Sequence, residues 1–335
     1  RSFVETPQAR ESRRRPGMRD VPPFHNYGWI GYDHRVEAAH YEPWWLALHG
    51  ARGVSYYATN AVDSGRGVSW ALIQPTLSDT GYGQALKEAL RDLRAGCGKL
   101  FLEYQREEPR IALLWSYPSM LVSWCESSWT EPEPDERDGT DSYSSSSRSA
   151  LHFRQHVNEL QHDYIYLAPD QILDGNLLER YPVLYLPFTV AESEALVQKL
   201  DAYLQDGGVL MGDLRCLRTD ECGKPYAGPG PLRQLFGVER TDGRVEYGPT
   251  TIQVTEAAAG IDLRGKELSL YGRESLRVVE GKPLARHATG EPALIVRPHG
   301  KGVAIYLNFS LPEYDVTTRE LIRQILARAG IEREI

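Results

Sequence analysis

From residue 109 onward the sequence alternates short, wholly apolar runs with stretches of helical spacing, and this alternation restricts the fold more than any other feature. The runs are 110–116 (RIALLWS), 164–167, 183–187 (VLYLP) and 209–211. They are too short for helices and carry no polar alternation. A strand reads this way when both sides of its pleat are covered, as in a parallel sheet flanked by helices. Between the runs, Ala150, Phe153, Val157 and Leu160 recur at helical spacing, and Leu196, Val197, Leu200 and Leu204 form a second such face. Thr189 and Glu192 have capping-box spacing and set the predicted start of that second helix. Asp206-Gly207-Gly208 predicts its stop. Strands that alternate with helices predict a parallel, doubly wound α/β sheet. Further on, 244–288 shows only short β-like runs. Gly300-Lys301-Gly302 between 293–297 and 303–308 reads as a hairpin turn, and a helix from about 317 to 329 closes the chain.

The first hundred residues read as two β/α units in series. Residues 2–6 (SFVET) predict a short buried strand that carries Glu5 at its end. A long loop follows, broken by Pro16-Gly17 and Pro22-Pro23. Residues 36–48 predict a helix that Pro43 kinks or restarts, and Gly50 stands where it should stop. Residues 53–58 (GVSYYA) predict a second strand, and 82–101 a second helix on the spacing of Leu86, Ala89, Leu90 and Leu93. The expected domains are therefore 1–105 and 109–335. Within the second, 126–149 is acidic and then serine-rich (Ser144–Ser147), which predicts a disordered insertion.

Composition removes several function classes. The net charge is −8 and no basic stripe interleaves with aromatics, so no nucleic-acid partner is expected. Arg13-Arg14-Arg15 reads as a solvated loop. No apolar stretch reaches membrane-spanning length and no signal peptide is visible, so a cytoplasmic protein with no membrane partner is expected. Cys97, Cys125, Cys216 and Cys222 are not spaced as a zinc site and are read as free thiols. His25, His34, His40 and His49 fit no standard metal spacing, and there is no glycine-rich dinucleotide fingerprint, so neither metal nor cofactor is expected. The chain starts at Arg1 just before a strand-like run, which reads as a fragment or a processed product.

The order of segments resembles the family 42 glycoside hydrolases. Phe3-Val4-Glu5, Pro16-Gly17-Met18, Leu48-His49-Gly50-Ala51 and Val54-Ser55-Tyr56-Tyr57 are similar to the end of that family's catalytic barrel. The run 110–116, Gly207-Gly208-Val209-Leu210, the stretch from Gly230-Pro231-Leu232-Arg233 to Phe236-Gly237-Val238, and Gly300-Lys301-Gly302 are similar to its second domain. The resemblance implies the last units of a (β/α)8 barrel, followed by a flavodoxin-like domain related to the class I amidotransferases. That domain mediates trimerisation in several members, so a homo-trimer is implied.

For the chemistry, the resemblance implies a retaining hydrolase of β-linked sugars, β-galactosidase-like, which needs two carboxyl groups roughly 5–5.5 Å apart. Glu5 matches the nucleophile at the end of strand seven, and its acid/base partner would lie upstream of Arg1. Trp29, Tyr57 and Asn60 are the candidate sugar contacts. Each also has a plainer reading: Glu5 as a surface residue, Tyr57 as core, Asn60 as a turn. The family's aromatic-x-Trp-Arg pattern after strand eight is replaced here by Tyr57-Ala58-Thr59-Asn60, so the sugar-contacting positions differ. An amidotransferase needs a cysteine on a sharp turn after a strand, whereas Phe188-Thr189 follows 183–187. The second domain is thus expected to be non-catalytic. The alternative reading for the whole chain is an oligomerisation or carbohydrate-binding module.

Overall fold

The computed structural model describes residues 36–48, 72–74, 76–103, 108–128, 142–226, 228 and 230–332. They divide into two compact units, Arg1–Glu108 and Pro109–Ile335. In unit 1, α1 (Val36–Leu48) is a single helix with Pro43 inside it. α2 (Gly81–Asp92) begins where the Thr80 hydroxyl accepts from the Gly83 amide at 3.0 Å, an N-cap that satisfies one orphan donor. Ala39, Tyr82, Ala85 and Leu86 pack together, with Leu72 and Leu90 against them. The helix expected over 82–101 is interrupted at Leu93–Cys97, where Gly96 leaves helical geometry, and resumes as α3 (Gly98–Glu103). The predicted strands at 2–6 and 53–58, and the stop at Gly50, lie outside the described residues.

Unit 2 runs β1 (Ile111–Leu114), α4 (Tyr117–Ser128), α5 (Ser142–Glu159), β2 (Tyr164–Leu167), α6 (Pro169–Asp174), α7 (Leu177–Arg180), β3 (Val183–Leu186), α8 (Glu194–Asp206) and β4 (Val209–Gly212). Then come α9 (Gly230–Phe236), β5 (Val238–Gln253), β6 (Ala257–Ala258), β7 (Ile261–Asp262), β8 (Glu267–Val278), β9 (Lys282–Arg286), β10 (Pro292–His299), β11 (Gly302–Leu307) and α10 (Val316–Arg328). The main sheet has the order β2-β1-β3-β4-β11-β10-β9. Its first five members are parallel, with Ile111 opposite both Tyr164 and Val183, and Val209 opposite both Val183 and Val303. Numbered along the chain, those five strands have the order 2-1-3-4-5, one of the two common doubly wound arrangements. β10 and β9 extend the sheet antiparallel.

The apolar runs are explained by burial on both faces. Ile111 and Leu113 enter one core with Phe153, Val157, Leu321 and Ile325, while Ala112 and Leu114 enter the other with Leu196, Leu200 and Leu204. Each such side chain stabilises the fold by about 1.5–3 kcal/mol when fully buried. Two glycines are required by geometry. Gly207 ends α8 with φ 121°. Gly300 turns the β10–β11 hairpin with φ 59°, and a Cβ there would meet Gln205 Cα at 2.4 Å.

Three expectations differ from the structure. α8 starts at Ser193, whose hydroxyl accepts from the Leu196 amide at 3.2 Å, so Thr189 caps nothing and lies in the preceding loop. The insertion expected to be disordered over 126–149 is helical at both ends: Glu126–Ser128 belong to α4, and α5 begins at Ser142. The helix is held by Phe153 and Val157 in the core, and Ser149 is itself buried. Packing of the apolar face overrides the weak helix propensity of serine. The residues between these helices, 129–141, lie outside the described set. The run of short strands expected over 244–288 is instead dominated by one long hairpin, β5 against β8, pairing Val238 with Val278 and Gln253 with Glu267.

Candidate functional site

Glu5, Trp29, Tyr57 and Asn60 all lie outside the described residues. What can be built from the sequence upward is the other place where a doubly wound fold puts function, the crevice beyond the C-terminal ends of the parallel strands. Three non-glycine residues in the loops there have left-handed backbones: Phe188 after β3 (φ 43°), and Arg215 and Leu217 after β4 (φ 66° and 56°). Such conformations cost of order 1–3 kcal/mol each and persist only where surroundings impose them. Here the two loops are laced together. Leu217 N donates to Thr189 O at 2.6 Å, and Arg218 N donates to Val190 O at 2.8 Å. Phe188 N donates to Asp213 Oδ1 at 2.5 Å, and the Arg215 guanidinium lies 5.5 Å from the Phe188 ring centre.

Phe188 therefore occupies the sharp turn after β3 that would carry a nucleophile in an amidotransferase-like domain. Its side chain is a fully buried ring. Cys216 does not replace it. The thiol is fully buried and burial pushes it well above its ordinary value, with Asp213 adding to the effect, so the reactive thiolate is suppressed. All four cysteines are free thiols.

Two buried carboxyls flank this turn. Asp213 accepts from Tyr185 Oη at 2.7 Å as well as from Phe188 N, yet burial outweighs those bonds and raises it to about 7. Burial likewise raises Glu192, on the β3 side of the crevice, to about 7. A third carboxylate, Glu274 on β8, is fully buried but stays charged. Burial opposes its ionisation, but Arg240 overcomes that and holds it below the usual range. Arg240 Nε donates to Glu274 Oε1 at 3.1 Å, and Arg240 Nη2 donates to Cys216 O at 2.7 Å. Tyr306 Oη (2.9 Å) and Arg215 N (3.1 Å) donate to Glu274 Oε2. The Glu274 amide donates to Asn308 Oδ1 at 2.7 Å. This network is satisfied on every side, as a buried ion pair must be.

Beside it opens a cleft of about 420 Å³, lined by Leu217, Arg218, Tyr226, Leu232, Arg233, Glu239 and Arg240 with Gly228 and Gly230. Arg233 and Arg277 both bond Glu239, with Arg233 Nη1 at 2.6 Å and Arg277 Nε at 2.9 Å. Arg277 and then Arg233 hold that carboxylate below its ordinary value.

None of Asp213, Arg218, Arg240 or Glu274 stood out in the sequence. Asp213 had a usable signal, a carboxylate one glycine past the apolar run 209–211. The others come from three separate segments: Arg240 and Glu274 meet through the β5–β8 pairing, and Arg218 reaches them from the loop after β4. Among the described residues, no group of three or more potential ligands could hold a metal ion, and no helix is long and apolar enough to cross a membrane.

Comparisons with known proteins bear on this geometry. Residues 145–332 match the family model described as the beta-galactosidase trimerisation domain. The chain is 25% identical over 189 residues to the beta-galactosidase LacZ of Heyndrickxia coagulans, covering 52% of this chain and 25% of that protein. It is 25% identical over 205 residues to the beta-galactosidase YesZ of Bacillus licheniformis, covering 55% of this chain and 28% of that protein. The chain thus matches only about a quarter of the length of these curated relatives. In fold it is similar to the crystal structure of the beta-galactosidase from Bacillus circulans sp. alkalophilus, with a TM-score of 0.73, 15% identity, and coverage of 99% of this chain and 49% of that one.

Proposed function

The chain belongs to the family of the beta-galactosidase trimerisation domain, and from that premise we propose that it serves as part of a retaining glycoside hydrolase acting on β-linked sugars, with unit 2 as a non-catalytic, flavodoxin-like assembly module. The observation that carries the reading is the family match over 145–332, which takes in most of unit 2. The turn after β3 supports the non-catalytic role, because a buried phenylalanine stands where such a fold would carry a nucleophile. Assembly is supported by α4, where Tyr117, Leu121 and Trp124 lie one and two turns apart and are 55%, 45% and 57% exposed. An apolar stripe on one helix face is the kind of surface that a second copy of the chain covers. We assign it to the contact between copies of a homo-trimer.

Unit 1 is the end of a (β/α)8 barrel in this reading. Glu5 is the nucleophile that attacks the anomeric carbon, and Trp29, Tyr57 and Asn60 contact the sugar. The experiment is hydrolysis of aryl β-galactosides by the protein that carries this chain, with and without Glu5→Gln. A loss of several orders of magnitude in kcat with retained fold and assembly is expected. Activity that survives Glu5→Gln contradicts the catalytic role of Glu5 and favours an oligomerisation or carbohydrate-binding module.

A further inference from the structure

The lining of the cleft beside β4 carries three guanidiniums, Arg218, Arg233 and Arg240, and one carboxylate, Glu239. Arg215 pairs with Glu126, Arg240 pairs with Glu274, and Arg233 and Arg277 share Glu239. Arg218 is the third lining guanidinium, and the charges of Asp220 and Glu221 lie near Tyr226 at the cleft edge. The one side-chain hydrogen bond of Arg218 among the described residues is a long contact, 3.4 Å from Nη2 to Gly243 O. Among the described residues no carboxylate bonds it. Arg218 is nevertheless only partly exposed, and burial together with the neighbouring Arg215 lowers its pKa. A guanidinium brought out of water beside two others, with most of its donors unused, is the arrangement that an oxyanion completes.

The cleft also has room and shape for a small molecule. Its volume of about 420 Å³ lies in the range of ligand pockets. Leu217 and Leu232 supply apolar wall, and the Tyr226 hydroxyl donates to Glu192 O, which fixes that ring at the edge. Glu239 also faces the cleft, but Arg233 and Arg277 already neutralise it. We infer that this cleft is a binding site for a small molecule carrying a phosphate or carboxylate group, with Arg218 as the anchor of the anion and Arg240 and Arg233 as its supporting charges. The inference is independent of glycoside hydrolysis, since every residue it uses belongs to unit 2.

The test is calorimetric titration of the protein at low ionic strength with inorganic phosphate, glucose 6-phosphate and glucuronate, and with glucose as the neutral control. One saturable site per chain is expected for an anionic probe and none for glucose. Tighter binding of glucose 6-phosphate than of phosphate assigns the site to phosphorylated small molecules, and tighter binding of glucuronate assigns it to carboxylates. Arg218→Ala should weaken binding tenfold or more, and Arg218→Lys should restore part of it. Arg264→Ala, at an exposed ion pair with Asp262 elsewhere in unit 2, should leave binding unchanged. The bound anion should raise the melting temperature of the parent but not that of Arg218→Gln, which keeps a polar side chain in place. Absence of a saturable site for all three anions would overturn the inference. So would equal weakening by Arg218→Ala and Arg264→Ala, which marks a diffuse charge effect.

Discussion

Arg240 and Arg218 line the same cleft, and they are held in opposite ways. Arg240 rises from β5 into a closed network in which Glu274 and the Cys216 carbonyl take up its donors. Burial works against its charge, but Glu274 more than offsets this and raises its pKa. Arg218 follows β4 into the same space with, among the described residues, a single long bond to a carbonyl, and burial lowers its pKa. One arginine is part of what holds the fold, and the other is left over from it. Residual charge in a cleft points to function, whereas charge satisfied from within points to structure.

Removing the partner of the closed pair should have the largest effect. Glu274→Ala leaves Arg240 buried and uncompensated, and should cost about 3–5 kcal/mol in denaturant unfolding. A cost below about 1 kcal/mol would break the comparison, because Arg240 would then be as dispensable to the fold as Arg218.

A pH titration of stability sharpens the comparison from the side of the neutral carboxyls. Burial raises Asp213 from 3.8 and Glu192 from 4.5, each to about 7. Between those limits the folded protein holds protons that the unfolded chain has released. Stability should therefore be fullest near the acid end of that window and fall as pH rises through about 7. Carboxylates held low, such as Glu274, act below about 4.5, whereas His287, lowered from 6.5 by burial, works in the opposite sense inside the window. Asp213→Asn should make the fall between pH 5 and pH 8 in thermal melts shallower. An unchanged slope would show that Asp213 stays ionised throughout.

The rim pair comes next. Glu126→Gln removes the charge that faces a buried Arg215 side chain, 7% exposed against 38% for the carboxylate, and should cost about 1–2 kcal/mol in the same unfolding measurement. The smallest effect is expected at the open arginine. Arg218→Gln in the absence of anions should leave stability within about 0.5 kcal/mol of the parent, as for a residue outside any supporting network. A loss as large as that of Glu274→Ala would make Arg218 a structural residue.

The parts of the fold that were legible in the sequence are those decided locally. The runs at 110–116, 164–167, 183–187 and 209–211 each appear as a parallel strand, because a strand buried on both faces leaves no choice of residue type. The turn at Gly300-Lys301-Gly302 was readable because a close approach to Gln205 admits no side chain at Gly300. The start of α8 was misread because Thr189 and Glu192 match a capping spacing that Ser193 also serves, and only the loop geometry decides between them. The serine run was misread because composition describes an isolated segment, whereas Ser149 lies in a helix whose next turn buries Phe153. The cleft was not legible at all. Arg240 and Glu274 are brought together by the β5–β8 pairing, whose register no short motif encodes, and Arg218 joins them from the loop after β4.

Assembly is the role proposed for unit 2. The measurement that tests this directly is the mass of the native protein by light scattering across a concentration series, with Trp124→Asp as the companion variant. Three chain masses for the parent, and one for the variant with its fold intact, are predicted. A parent that stays at one chain mass at every concentration would contradict the account.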